Sequence, residues 1–109
     1  MSLRDQIEQE FAKAEKGIQE GNEGLARVCA RRAVALGVQT LAARSGARGW
    51  PGDAMHQLRK IQADETFPLD IREAAQRLVT TVTQRDRAPL STDPIADARL
   101  ILTHLEQLP

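Results

Sequence analysis

A chain of 109 residues is long enough for one domain with a single core and too short for a second domain. Its 41% hydrophobic and 28% charged residues are ordinary for a globular protein, and only three aromatic side chains leave a core of Leu, Ile, Val and Ala, which favours helices. A formal charge of zero disfavours a strong nonspecific nucleic-acid binder, and no apolar run approaches the roughly 18 residues of a membrane span.

The charge is unevenly spread along the chain. Residues 1–24 carry three basic and six acidic side chains, residues 25–63 carry seven and one, and residues 64–109 carry five and eight. Acidic outer helices that neutralise a basic central segment are the favoured interpretation. A phosphate-binding surface on that central segment is the alternative.

The first predicted helix runs from about Arg4 to Gln19, because apolar residues recur there at spacings of three and four. Gly21 is suited to the C-terminal cap of this helix and Asn22 to the N-cap of the next one. Since the connection is short, we expect the two helices to be antiparallel neighbours.

The second predicted helix, residues 23–44, is apolar almost all the way round. Its small residues line up as a groove that a neighbouring helix could enter closely: Ala26, Ala30, Ala33 and Gly37. We therefore expect the central helix of a bundle, surrounded by its own chain or with one side covered by another subunit. Cys29 lies on an apolar ridge without a disulfide partner, which fits a core position and a cytoplasmic protein.

The remaining helices are marked by their first residues. Asp53 is a predicted N-cap for the third helix, and Asp93 followed by Pro94 opens a fifth helix that runs to about Leu108. Between them, a capping box formed by residues 70–73 should open the fourth helix, and helical periodicity carries its buried stripe to Val82.

These elements predict an all-α fold, a four- to five-helix up-and-down bundle in one domain over residues 1–109. In the glycine- and proline-rich loop after the second helix, Trp50 is expected to cover the end of the core. The sequence has no glycine-rich phosphate loop, no cysteine or histidine cluster and no hydrolase triad. We therefore expect neither a metal nor another cofactor.

Three segments of the chain resemble the HEPN superfamily, small helical bundles of prokaryotes with four to five helices that often dimerise. LARVCARRAVALGVQTLAA is similar to the long central helix of that family, DAMHQLRKI to its third helix and STDPIADARLILTHLEQL to its last helix. The resemblance covers most of the chain and is one of pattern and spacing. It implies a cytoplasmic homodimer with a nucleotide, an RNA or a partner protein as its ligand, in the manner of toxin–antitoxin systems.

Catalytic members of that superfamily are metal-independent ribonucleases with an arginine and, four to six residues later, a histidine on the final helix. Arg99 and His104 match this spacing. By the resemblance, His104 would move the proton of a ribose 2′-hydroxyl and Arg99 would hold the scissile phosphate. Leu100 stands where the family usually has a polar residue, and it would lie at the dimer interface.

Five residues at about 100° each place Arg99 and His104 about 140° apart around a straight helix, so that a joint site requires two facing copies. The favoured interpretation is therefore a non-catalytic, HEPN-like binding or accessory module that forms a homodimer, in which Arg99 pairs with a nearby carboxylate such as Glu106 or Asp97. The alternatives are a toxin-type endoribonuclease that uses Arg99 and His104, and a structural adaptor bundle without a small ligand.

Basic side chains on the second helix raise a parallel question. Arg27, Arg31 and Arg32 are candidates for contacts with phosphate or nucleic acid. Salt bridges are the favoured alternative: Glu23 is well placed to pair with Arg27, and the acidic first helix could neutralise the others.

Overall fold

The computed structural model describes residues 2–45 and 52–108. Over these residues the chain forms the α-helices α1 (Leu3–Gln19), α2 (Glu23–Ser45), α3 (Ala54–Ala63), α4 (Leu69–Val79) and α5 (Pro94–Glu106), together with a 3-10 helix (Val82–Gln84). No strand forms within these ranges, which confirms the all-α fold. Trp50 lies outside them.

Helix α2 is the central helix, because it packs against α1, α3, α4 and α5. Its predicted groove is confirmed: Ala26, Ala30 and Ala33 are fully buried. At Gly37 the side chain of Leu102 from α5 fills the space that a Cβ atom would occupy. The small residues of α2 thus set how closely α5 approaches.

The turn between α1 and α2 is closed by backbone hydrogen bonds. The N–H of Gly21 donates to the carbonyl of Ile18 at 3.1 Å, and the N–H of Asn22 donates to the carbonyl of Gly17 at 2.7 Å. This pattern needs a left-handed residue, and Gly21 supplies it with φ of 77°. The side chain of Asn22 then accepts from the N–H of Leu25 at 3.1 Å, so both predicted caps are confirmed.

The two helices that flank one side of α2, α1 and α5, run in opposite directions. Helix α5 runs parallel to α2, since Arg27 near the start of α2 contacts Ser91 before α5, and Arg44 near the end of α2 contacts the carbonyl of Leu105. Helix α1 lies antiparallel to both. This arrangement places α1 beside the final helix, where the predicted catalytic residues lie.

The fifth helix opens as predicted and ends slightly early. The carboxylate of Asp93 accepts from the N–H of Ala96 at 3.1 Å, with proline in the first turn. The helix stops at Glu106, two residues before the predicted end. There the guanidinium of Arg44 donates to backbone carbonyls, including that of Leu108 at 2.6 Å, which satisfies the end of the helix.

Both predicted ends of the fourth helix are wrong. Helix α4 begins at Leu69 with Pro68 at the N-cap and no side-chain cap, so that the expected capping box from residue 70 does not form. The helix ends at Val79, because the backbone becomes extended at Thr80, and Arg31 donates to the carbonyl of Leu78 at 2.7 Å. Val82 consequently lies in the 3-10 helix, where it is 50% exposed.

Substitutions at two glycines, Gly17 and Gly24, test how closely α1 and α2 pack against each other. A Cβ atom at Gly17 would lie 2.9 Å from the carbonyl oxygen of Asn22 and 3.3 Å from the N atom of Ala26, both backbone atoms that cannot move aside. We expect Gly17→Ala to lower the free energy of unfolding by about 1–3 kcal/mol, despite a helix-propensity gain of about 1 kcal/mol.

Gly24→Ala is the matched control, because a Cβ atom there meets only the side chain of Asn22 at 3.7 Å. It should raise the free energy of unfolding by about 0.5 kcal/mol. Urea unfolding followed by circular dichroism measures both variants. Equal stability of the two would contradict the close crossing.

Candidate functional site

The guanidinium of Arg99 is engaged by helix α1. Its Cζ atom lies 4.1 Å from the centre of the Phe11 ring, and its Nη1 atom lies 3.6 Å from the carboxylate of Glu8. The prediction that Arg99 pairs with Glu106 or Asp97 is therefore wrong. The reason is tertiary: α1 passes antiparallel alongside α5 and brings a carboxylate and an aromatic face to this side chain.

The ring of His104 lies on another side of the same helix. It is partly buried, and its centroid is 5.5 Å from that of Phe67, with the two rings tilted by 58°. Phe67 is a buried residue of the connection between α3 and α4. Within one chain, Arg99 and His104 thus face different neighbours and do not form a joint site.

Leu100 lies on the outward face of α5 between these two side chains. It is 39% exposed, whereas Ile101 and Leu102, which follow it, are buried. Leu100 therefore points away from the core. Its place at a dimer interface remains a prediction.

Most of the candidate arginines of α2 form hydrogen bonds or ion pairs within their own chain. Arg27 is buried, pairs with Glu23 at 3.3 Å as predicted, and donates to the carbonyl of Ser91 at 3.4 Å. Arg31 donates to carbonyls at the end of α4, and desolvation by burial, together with the nearby charge of Arg27, lowers its pKa. Neither pairs with α1 as the charge pattern suggested. Of the three candidate phosphate ligands, only Arg32 is exposed.

The strongest polar cluster in the core was not predicted. Asp97 is buried and accepts hydrogen bonds from Arg77 Nη2 at 2.8 Å and from the hydroxyl of Ser91 at 2.7 Å. The hydrogen bonds that Arg77 donates to the carboxylate of Asp97 raise the pKa of Arg77. The available signal was the helical spacing of Asp97 with Ile101 and Leu105, which places a carboxylate on the buried stripe of α5. A buried charge at such a position requires a partner.

Cys29 is a core residue, as the sequence indicated. Its side chain is fully buried and clusters with Ala14 and Ala26. Desolvation by burial, reinforced by the carboxylate of Glu10, raises the pKa of the thiol. The thiol therefore stays protonated at neutral pH, and it is a poor nucleophile.

A groove runs between α1, α2 and α5, and Arg99 lines a neighbouring pocket between α1 and α5. One section of it has a volume of about 230 Å³, with an apolar floor that includes Ile7 and Leu105 and a charged rim that includes Arg4 and Glu106. An apolar floor with a charged rim is a common form of binding groove for small ligands or peptides.

Comparison of the chain with known protein families, curated proteins and solved structures gives no match. Among residues 2–45 and 52–108, no group of three or more His, Cys, Asp or Glu side chains is arranged to hold a metal ion. In the same ranges, no helix has the length and apolar character that a membrane span requires. The HEPN resemblance stays a prediction.

The ion pairs Arg77–Asp97 and Arg99–Glu8 should differ in their contribution to the free energy of unfolding. Asp97→Asn keeps the shape of the side chain but leaves Arg77 without its charged partner. We expect it to lower the free energy of unfolding by about 2–3 kcal/mol. Arg99→Gln removes an exposed pair with Glu8 and a cation–π contact, and should cost about 1 kcal/mol or less.

Chemical denaturation of both variants beside the wild type measures these differences. A loss in Arg99→Gln as large as that in Asp97→Asn would contradict the assignment of the buried pair as the stronger one.

Proposed function

We propose that the chain is a non-catalytic binding or accessory module of the HEPN type, which acts as a homodimer and binds a nucleotide, a nucleic acid or a partner protein. The observation that carries this proposal is that Arg99 and His104 are each engaged by other side chains of their own chain. General acid–base catalysis needs its groups within hydrogen-bond reach of one reacting centre. Here one group is held against Phe11 and Glu8 and the other against Phe67.

The outward face of α5 is the proposed dimer interface. It combines the exposed Leu100 with the exposed Thr103 one turn later, and Arg99 and His104 lie at its two edges. An exposed leucine flanked by polar residues is common on protein surfaces. It supports this proposal because it lies at the centre of the one face that the resemblance assigns to dimerisation.

The same face gives the endoribonuclease alternative its geometry. In an antiparallel pair of α5 helices centred between residues 101 and 102, Arg99 lies opposite His104 of a second copy. Leu100 then lies opposite Thr103 of that copy. The register that pairs the exposed faces would therefore also pair the two candidate catalytic groups, and only an activity measurement separates the two functions.

The dimer is tested by size exclusion with light scattering. The wild type should have twice the chain mass of 12.0 kDa, and Leu100→Glu should dissociate it, because the substitution places a charge at the centre of the interface. Leu69→Glu is the matched control: Leu69 is 61% exposed at the start of α4, where a glutamate is favourable for the helix.

A monomeric wild type would overturn the homodimer. Val28→Glu tests whether the dimer interface lies on α2 instead of α5, since Val28 is 37% exposed on α2. A dimer that Val28→Glu dissociates and Leu100→Glu leaves intact would move the interface from α5 to α2.

Catalysis is tested by incubating the protein with a panel of RNAs in excess chelator. We expect the RNA to stay intact, because Arg99 and His104 are each held by their own chain. Cleavage that His104→Ala abolishes would replace the proposal by the endoribonuclease. His56→Ala removes the other histidine of the chain, which is exposed, and serves as the control.

A further inference from the structure

A cleft of about 280 Å³ lies between α3, the end of α4 and the turn after the 3-10 helix. Two guanidinium groups line it, from Arg59 on α3 and Arg87 in the turn. The other polar side chains of its lining are neutral: Gln62, Gln76, Thr80 and Gln84. Over the described residues no carboxylate lines this cleft, so it has a positive charge of its own within a chain of zero net charge.

The two guanidinium groups are available to a ligand. Both side chains are exposed, and within residues 2–45 and 52–108 neither forms an ion pair. Other arginines differ in this respect, since Arg77 and Arg99 bind carboxylates and Arg31 binds backbone carbonyls. Arginines without a partner that line one cleft are an arrangement suited to an anion.

The walls of the cleft are fixed by hydrogen bonds. The hydroxyl of Thr80 donates to the carbonyl of Gln76 at 2.8 Å, and the backbone N–H of Arg87 donates to the carbonyl of Gln84 at 2.9 Å. The C-terminal end of a helix ordinarily repels an anion. Here Arg31 donates to the carbonyls of Leu78 and Thr80, so a positive charge offsets that end of α4.

We infer that this cleft binds the phosphate group of a nucleotide, with Arg59 and Arg87 as its ligands and the glutamine amides as further donors. Guanidinium groups match the geometry and charge of phosphate oxygens. The volume lies near the lower limit of about 300 Å³ for small-molecule pockets, which suits a phosphate and its attached sugar better than a large ligand. The phosphate could come from a free mononucleotide or from an RNA strand.

This inference rests on the proposed binding function and adds the residues that would contact the ligand. None of them lies on α5. The cleft and the dimer interface can therefore be tested separately.

The test is a titration of isotope-labelled protein, followed by NMR, with inorganic phosphate, adenosine monophosphate and a short single-stranded RNA. We expect the signals of Arg59 and Arg87 to shift, and the double variant Arg59→Gln/Arg87→Gln to weaken binding about tenfold or more. Arg85→Gln is the control, because it removes one exposed charge from the same turn but does not line the cleft. It should change the affinity by less than about twofold.

Tighter binding of the RNA than of the mononucleotide would identify a strand as the source of the phosphate, and equal binding would identify the free nucleotide. The inference is overturned if none of the three probes binds, or if Arg85→Gln weakens binding as much as the double variant. Either result leaves the proposed homodimer and its lack of RNA cleavage unaffected. Conversely, RNA cleavage dependent on His104 would overturn the proposed function without affecting the cleft.

Discussion

The close approach of α5 to the small-residue groove of α2 is the constraint on which the rest of the structure depends. Gly37 leaves room for Leu102, and the fully buried Ala30 and Ala33 keep the neighbouring backbones near the central helix. Packing at this distance excludes water and lets a small core form without many aromatic residues. It also brings α1 beside α5, and this contact places Arg99 over Phe11.

Arginine side chains then donate hydrogen bonds to backbone carbonyls at the helix ends, which helix packing leaves without partners. Arg31 and Arg44, both on α2, donate to the last carbonyls of α4 and α5, where helices otherwise leave acceptors without partners. Three of the seven basic side chains in the central segment, those of Arg27, Arg31 and Arg44, donate to backbone carbonyls. Neutralisation by acidic outer helices therefore accounts for the basic central segment less well than the charge pattern suggested. Arg32 and Arg59 remain exposed, and of these Arg59 lines a cleft without carboxylates in the described part of the chain.

The same packing separates the candidate functions in space. On α5, helical geometry directs Arg99 and His104 to different neighbours, so that catalysis by this pair would require a second copy of the chain. The cleft at the end of α4 is complete within one chain and uses residues of α3, α4 and the following turn. A binding function consequently makes fewer demands on assembly than a nuclease function does.

The sequence by itself determined the helical class, the central position of α2 and the helix starts at Asn22, Asp53 and Asp93. Each of these caps accepts a hydrogen bond from a backbone N–H only three residues away, so local sequence contains the whole interaction. Only the tertiary structure decided which side chain caps the end of α4, which carboxylate Arg99 binds and what neutralises Asp97. Those outcomes depend on long side chains that reach across helix contacts, as Arg31 reaches Leu78, and periodicity does not specify which elements such side chains meet.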